Sequence, residues 1–132
     1  MTASWAIQAL AATPSTGEIM DEPRIGTFIL QHRYRIDPND HKKFFALLSE
    51  VRAYALDLGV ARFEVWQDDE DPWQISELHG YDSWSHYMRL SEKHLPDAMK
   101  DVYADFERLV EGGLAGIETR MWQHKSLLPL DR

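Results

Sequence analysis

The sequence TFILQHRYRI, residues 27 to 36, decides the fold, because its side chains alternate with a period of two from Phe28 onward. This period is that of a β-strand, in which successive side chains point to opposite faces of a sheet. One face would hold Phe28, Leu30, His32, Tyr34 and Ile36, and the other Ile29, Gln31, Arg33 and Arg35. Asp37 and Pro38 follow directly, and they predict a helix with Asp37 as its cap and Pro38 in its first position.

The hydrophobic spacing of the remaining chain gives the other elements in order. Apolar residues three and four apart predict that the helix continues to Leu58 and ends before Gly59. Alternating segments at 60–67 and 73–80, joined by the acidic turn DDEDP, predict a hairpin. Helical spacing returns from Asp82, breaks near Pro96 and resumes to Gly112, and alternation returns over 114–122. The order β-α-β-β-α-β is typical of an α+β, ferredoxin-like fold, with a four-stranded antiparallel sheet and helices on one face.

Length and composition limit the classes of protein to which the chain can belong. Its 132 residues are the size of one domain, and its hydrophobic content of 44% suffices for a core. The net charge of −8 argues against nucleic acid and anionic membranes as partners. The absence of cysteine excludes disulfides and thiolate nucleophiles. No apolar run is as long as a membrane span, and WAIQALAA lacks the basic segment of a signal peptide, so we expect a cytoplasmic protein.

The chain is expected to divide into three regions. Residues 1–24 contain the turn-rich stretch ATPSTGEIMDEP and are predicted to form a flexible arm, with one or two helical turns near Trp5. Residues 25–124 would form the ferredoxin-like domain, and residues 125–132 a C-terminal tail.

Strand parity sorts side chains between the two faces of the predicted sheet. The face under the helices collects Phe28, Leu30, Tyr34, Ala61, Phe63, Val65, Trp73, Ile75, Ile117 and Met121. The opposite face mixes charged residues with four large apolar ones, Ile29, Trp66, Leu78 and Trp122. A face left to water does not normally hold two tryptophans, so we predict a homodimer whose sheets meet there. Scattered surface hydrophobes are the alternative.

Three ionisable residues, His32, Glu77 and His79, fall on the face that is predicted to lie under the helices. A buried carboxylate is costly unless it is paired or hydrogen-bonded, and an imidazole is its natural partner. Such a pair could also transfer protons, because both groups can titrate near neutrality. The structural alternative is that Glu77 binds the backbone or Arg89, and that both histidines are satisfied in the core.

The segment YDSWSHYMRLSEKH, residues 81 to 94, is rich in aromatic residues and histidine. On a helix, Trp84, Tyr87, Met88, Ser91 and Leu95 share one side, which we predict to be core. A neighbouring stripe of His86, Arg89 and Lys93 is predicted to be solvated. No zinc, phosphate-loop or nucleophile-elbow motif occurs in the sequence, so we expect no metal site.

The segments YRIDP, VRAYALDLGVARFEVWQDDEDP and SELHGYDSW resemble, in this order, the antibiotic-biosynthesis-monooxygenase-like family of dimeric α/β barrels. In particular, they resemble the domain that occurs alone or attached to major-facilitator-type transporters described as transmembrane secretion effectors. The resemblance spans about residues 25–93 and continues more weakly to Trp122. It implies a ferredoxin-like monomer, a homodimer whose sheets form a shared barrel, and a cleft between sheet and helices. Characterised members oxidise polycyclic phenols with oxygen and without metal or flavin, and others bind or degrade haem.

The resemblance also implies roles for single residues. The family's strand carboxylate corresponds to Glu77, its helix arginine to Arg89, and its Ser-Trp pair to Ser83 and Trp84. Its two helix histidines correspond to Tyr87 and Ser91, whereas this chain has histidine at His32 and His79, where the family has apolar residues. The polar chemistry of the family would therefore lie on the sheet rather than on the helix, or be absent from this chain.

We expect a cofactor-independent monooxygenase-like protein that acts on a small aromatic or polyphenolic molecule. Glu77, His32 and His79 are the predicted catalytic residues: one deprotonates a phenol, and a histidine stabilises the developing charge. The predicted substrate-binding residues are Tyr34, Trp84, Tyr87, His86 and Arg89. The rings of Tyr34, Trp84 and Tyr87 would sandwich the substrate. The alternatives are a non-catalytic small-molecule-binding or regulatory dimer, and a haem-binding protein with His32, His79 or His86 as axial ligand.

Overall fold

A computed structural model of the protein describes residues 28–125, so the predicted arm and residues 126–132 of the predicted tail lie outside the described residues. The strands are β1 (Phe28–Arg35), β2 (Arg62–Gln67), β3 (Gln74–Tyr81) and β4 (Glu118–Gln123). The α-helices are α1 (His41–Leu58), α2 (Trp84–Ser91) and α3 (Asp97–Leu109), and 3-10 turns span Pro38–Asp40 and Gly113–Gly116. The predicted β-α-β-β-α-β order is confirmed, with the second helical region divided into α2 and α3.

The four strands form one antiparallel sheet in the order β2-β3-β1-β4. The central strands are therefore β1 and β3, and the edge strands are β2 and β4. The register places His32 of β1 opposite Glu77 of β3 on one side and Thr119 of β4 on the other. The α+β, ferredoxin-like class that the sequence predicted is thus confirmed, and the register brings polar residues of three strands into one row.

The start of the first helix differs from its prediction. The carboxylate of Asp37 accepts a hydrogen bond from the backbone N–H of Asn39 at 2.9 Å, and Pro38 opens a 3-10 turn rather than an α-helix. The α-helix begins at His41 and ends before Gly59, as its stop signal predicted. Gly59 has φ 123°, a conformation that L side chains rarely adopt, which is why glycine suits this position.

Strand parity correctly predicted most of the side chains that enter the core. Phe28, Leu30, Tyr34, Phe63 and Ile75 are buried. Val65, Trp73, Ile117 and Met121 are half-buried, and the guanidinium of Arg35 lies 5.5 Å from the ring centroid of Trp73. The prediction for Ala61 is wrong: it is exposed, because it precedes β2 at the edge of the sheet.

The segment 81–94 forms a shorter helix than its spacing suggested. Ser83 caps α2 by accepting a hydrogen bond from the backbone N–H of His86 at 3.0 Å. Tyr87 and Leu90 are buried as part of the core. The prediction for Met88 is wrong, since 38% of it is exposed: the inward side of α2 is centred on Tyr87, and the next residue lies about 100° around the helix.

Candidate functional site

Five side chains from three adjacent strands form a hydrogen-bonded group in the core, the polar cluster: Tyr34, Glu77, His79, His32 and Thr119. The Tyr34 hydroxyl donates to Glu77 Oε1 at 2.6 Å, and His79 Nε2 donates to Glu77 Oε2 at 2.6 Å. The His32 ring meets the His79 ring edge-on, with their centroids 5.1 Å apart. His32 Nδ1 lies 3.0 Å from Thr119 Oγ1. The three predicted catalytic residues therefore lie together, with Tyr34 and Thr119 beside them.

The sheet itself places these groups side by side. Residues two apart on a strand share a face, so Tyr34 follows His32 on β1 and His79 follows Glu77 on β3. Pairing of His32 with Glu77 brings both strands' inner side chains into contact distance. The cluster is thus held by sheet register rather than by loops, which keeps its geometry rigid.

Burial controls the protonation states of His32 and Tyr34. Glu77 and His32 are 0% exposed. Burial first, and the neighbouring His79 second, hold the pKa of His32 well below its usual value, so His32 is neutral near pH 7. Burial, together with the charge and hydrogen bond of Glu77, raises the pKa of Tyr34 well above its usual value. Tyr34 therefore stays a neutral phenol that donates to the carboxylate.

The partners of Glu77 decide between the alternatives that the sequence left open for it. Its two carboxylate oxygens are bound by Tyr34 and His79, and not by the backbone or by Arg89. Arg89 is exposed on α2. The imidazole–carboxylate pair that strand parity predicted is present, but with His79 rather than with the directly opposite His32.

A second group, the aromatic cluster, lies at the neighbouring end of the sheet and consists of Phe28, Tyr81, Trp84 and Tyr87. Phe28 contacts Trp84 edge-on at 5.5 Å, and Tyr81 contacts Tyr87 edge-on at 5.2 Å, between ring centroids. The ring centroids of Trp84 and Tyr87 are 5.4 Å apart. Trp84 is half-buried, whereas the other three residues are buried, so Trp84 forms the outer wall of this cluster.

Within the polar cluster, His79 is the ionisable residue nearest to the aromatic cluster. In the register, His79 pairs with Leu30, one inward position from Phe28 and one from His32. The Phe63 ring stacks on the His79 ring with centroids 4.7 Å apart. Of the ionisable members of the polar cluster, His79 is therefore the one next to the aromatic rings.

The predicted sandwich of Tyr34, Trp84 and Tyr87 around one substrate is wrong. Tyr34 packs edge-on against Phe44 and Phe106, at 6.1 Å and 5.6 Å between centroids. Trp84 and Tyr87 pack around Phe28. Phe28 precedes Tyr34 by six residues on β1, which is about 20 Å along a strand. A single small ring cannot touch both ends, so only Trp84 and Tyr87 remain together as a wall.

His86 is a structural residue, and the prediction that it is solvated is wrong. It is 9% exposed. Its Nδ1 accepts from the backbone N–H of Asp82 at 2.9 Å, and its Nε2 donates to the carbonyl oxygen of Gly59 at 2.9 Å. Both ring nitrogens thus tie α2 to the end of α1, and contact with a substrate or a haem iron would require breaking one of these bonds.

Thr119 is the member of the polar cluster that sequence reasoning missed. Its parity placed Thr119 on the inner face with Ile117 and Met121, but nothing in the sequence marks a lone threonine as part of a site. The signal would have been the pairing of β1 with β4, which sets Thr119 opposite His32.

The free energy of unfolding should fall as the pH drops below the pKa of a free histidine. An unfolded His32 has a pKa near 6.5 and binds a proton below it, whereas the buried ring does not, so stability is full above pH 6.5 and decreases below. We expect His32 to contribute a slope of at most about 1.4 kcal/mol per pH unit. Urea unfolding between about pH 7.5 and 5.5 measures this. The His32→Gln variant should lose that part of the slope, and a variant of the exposed His94, His94→Gln, should keep it; equal slopes in all three proteins would contradict the assignment.

Two findings concern metals and membranes. Within residues 28–125, no group of three or more His, Asp or Glu residues is arranged to hold a metal ion. Over the same range, no helix combines the length and the apolar character that crossing a membrane requires.

Comparison with known proteins gives the family. The family model described as transmembrane secretion effector matches residues 5–125, which is most of the chain. No curated protein matches the chain. Because the matched range includes every described element, the family assignment covers both the polar and the aromatic cluster.

Solved structures give the fold. SnoaB, a cofactor-independent oxygenase from Streptomyces nogalater, is similar with a TM-score of 0.60 and 10% identity, over 79% of this chain and 98% of that one. A NIPSNAP family protein from Agrobacterium tumefaciens is similar with a TM-score of 0.60 and 18% identity, over 84% and 96%. A candidate antibiotic biosynthesis monooxygenase from Chloroflexus aurantiacus is similar with a TM-score of 0.56 and 19% identity, over 79% and 98%. The chain therefore belongs to the transmembrane secretion effector family and has the ferredoxin-like fold of the antibiotic-biosynthesis-monooxygenase-like proteins.

Proposed function

We propose that the protein is a cofactor-independent monooxygenase that acts on a small aromatic molecule, with His79 as its general base. The observation that supports this is the hydrogen bond of 2.6 Å between His79 Nε2 and Glu77 Oε2, beside the aromatic cluster. A carboxylate bound to one imidazole nitrogen fixes the ring's orientation and its tautomer. The other nitrogen, Nδ1, is then the base that faces substrate, and Tyr34 holds the second carboxylate oxygen in place.

The reaction class is the oxidation of an activated methylene group to a ketone by dioxygen. His79 removes a proton from the substrate, and the resulting anion gives one electron to dioxygen. The substrate radical and superoxide then form a carbon–oxygen bond, and the peroxide takes back the proton from His79. Loss of water leaves a carbonyl group, so one oxygen atom enters the substrate and the other leaves as water. His32, neutral because it is buried, could hydrogen-bond the anionic intermediates without adding a like charge beside protonated His79.

The aromatic cluster supplies the surface for the substrate. A polycyclic phenol would pack against Trp84 and Tyr87, because aromatic rings prefer offset or edge-on contacts with each other. Trp84 is the half-buried member, so it would be the first ring of this cluster that a substrate contacts. Because His79 is buried, we expect access to it to require a movement of α2 that loosens Trp84 from Phe28.

We also infer that the protein is a homodimer that is formed through the outer face of the sheet. Trp66 and Trp122 are 59% and 51% exposed on the protomer. Ile29, Gln31, Leu78 and Trp122 line an open depression of about 300 Å³ on that face. Exposed tryptophans beside an apolar depression are typical of surfaces that another protein covers.

A non-catalytic, ligand-binding dimer is the second candidate. The observation that favours it is the complete burial of Glu77, whose carboxylate oxygens are both bound within the protein. A group that is satisfied in this way stabilises the core without needing to react. Under this candidate, the aromatic cluster would bind a ring while the polar cluster only supports it.

Oxygen consumption with anthrone as the probe separates the two candidates. We expect the protein to convert anthrone to anthraquinone faster than buffer does, and only in the presence of oxygen. The His79→Gln variant should be slower by about 10²- to 10⁴-fold, the usual contribution of a general base. His94→Gln, which changes an exposed histidine, is the matched control and should keep full activity. Equal rates for protein and buffer, together with saturable quenching of tryptophan fluorescence by anthrone, would replace the first candidate by the second.

A further inference from the structure

We propose that Thr119 is a positioning residue that holds the His32 ring with its proton on Nε2. The inference rests on the proposed function for the use of that proton, but the position of the proton can be measured without any reaction. Thr119 Oγ1 lies 3.0 Å from His32 Nδ1, and the two residues are direct partners in the β1–β4 register. Thr119 does not belong to the aromatic cluster, so it would act on the substrate only through His32.

The chemistry of imidazole leaves two arrangements to distinguish. A neutral ring carries one N–H donor and one acceptor nitrogen, and the hydrogen bond at one nitrogen selects the tautomer. A threonine hydroxyl can donate or accept. The Nε2–H tautomer is the form that neutral histidine favours in water, and a hydroxyl that donates to Nδ1 adds to this preference. We therefore assign the hydroxyl of Thr119 as the donor and Nδ1 of His32 as the acceptor.

The position of His32 in the sheet determines the direction in which the proton on Nε2 points. β1 lies between β3 and β4, with Thr119 on the β4 side and the Glu77–His79 pair on the β3 side. The two nitrogens of an imidazole point to different sides of the ring. A proton on Nε2 is therefore directed away from Thr119, and it would be the proton that an anionic oxygen beside His79 accepts during the proposed reaction.

A purely structural role for Thr119 predicts different behaviour. If the residue only fills the inner face of β4, the isosteric Thr119→Val would leave the His32 tautomer as it is. If it is a positioning residue, Thr119→Val removes the donor to Nδ1, and the ring should populate both tautomers. Thr119→Ser keeps the hydroxyl and should preserve the native tautomer, whereas Met121→Leu changes the next inward residue of β4 and serves as the control.

Two-dimensional ¹H–¹⁵N NMR of the histidine rings in the full chain tests the proposal. In the unmodified protein, Nδ1 of His32 should give an acceptor-type nitrogen shift and Nε2 a protonated one. Thr119→Val should move both shifts toward an average, while Thr119→Ser and Met121→Leu should not. A protonated Nδ1 in the unmodified protein would overturn the proposal, and so would unchanged shifts in Thr119→Val. If Thr119→Val does not fold, the shifts of the unmodified protein and of Thr119→Ser still decide the tautomer.

Kinetics with anthrone then test whether the Nε2 proton of His32 takes part in the proposed reaction. We expect Thr119→Val to lower kcat by about two- to tenfold, the range of one hydrogen bond, with KM unchanged. An effect on KM alone would contradict a role in the reaction. If the unmodified protein does not oxidise anthrone, the proposed function fails, while the NMR result still decides the role of Thr119.

Discussion

Replacement of Glu77 by alanine is expected to lower the free energy of unfolding by about 3–5 kcal/mol, the usual cost of removing one partner from a buried polar pair. The variant would leave the Tyr34 hydroxyl and His79 Nε2 in the core without their carboxylate. It would also create a cavity where the side chain was, because Glu77 is wholly buried. Urea denaturation, followed by circular dichroism at pH 7, measures the change.

Two further variants make this result specific. Glu77→Gln keeps the shape of the side chain and an acceptor for Tyr34, so its cost should lie between those of the unmodified protein and Glu77→Ala. Glu64→Ala removes a carboxylate of the neighbouring strand β2 that pairs with Arg62 near the surface. Exposed pairs contribute at most about 1 kcal/mol, so this control should change stability little. A cost for Glu77→Ala no larger than that of the control would contradict the hydrogen-bonded polar cluster.

The second large effect is expected at the outer face of the sheet. Trp122→Glu should raise the dissociation constant of the proposed homodimer at least about 30-fold, because a buried tryptophan at the centre of an interface contributes about 2 kcal/mol or more. The indole N–H of Trp122 donates to Gln31 Oε1 at 2.9 Å, which holds the ring across the depression that a second subunit would cover. Sedimentation velocity over a range of protein concentrations measures the change.

Phe45→Glu provides the matched control for this experiment. Phe45 is 39% exposed on α1, so it is a comparable apolar surface residue on another element. The Phe45→Glu variant should remain dimeric if assembly uses the outer sheet face alone. A monomeric unmodified protein at about 100 μM, a concentration far above the dissociation constants of most stable dimers, would rule out the interface.

Much of the fold could be predicted because a few local sequence signals determine where its strands and helices begin and end. The alternation from Phe28 to Ile36 gave β1, and the position of Gly59 gave the end of α1. Parity also put His32, Glu77 and His79 on the inner face, because a period of two assigns every side chain of a strand once the face of one is known.

The details of the site could not be predicted because they depend on register and on helix orientation. Parity does not tell which of two inward histidines bonds to Glu77, and His79, two residues further along β3, forms the bond instead of the opposite His32. The burial of His86 depends on the carbonyl of Gly59, which is 27 residues away in the chain. Chemical type alone suggests that Tyr34 and Trp84 act together, but Trp84 packs on Phe28, which is six residues from Tyr34 along β1.

The position of β4 at the edge of the sheet links assembly to the polar cluster. Among the described residues, β4 is hydrogen-bonded to one strand only, and it carries Thr119 on its inner side and Trp122 on its outer side. If β4 separates from β1, His32 loses its contact with the Thr119 hydroxyl. The Trp122 indole then also leaves the surface that a second subunit would cover. If the proposed homodimer forms, amide exchange along β4 should therefore slow as the protein concentration rises, and the His32 ring should be held more firmly.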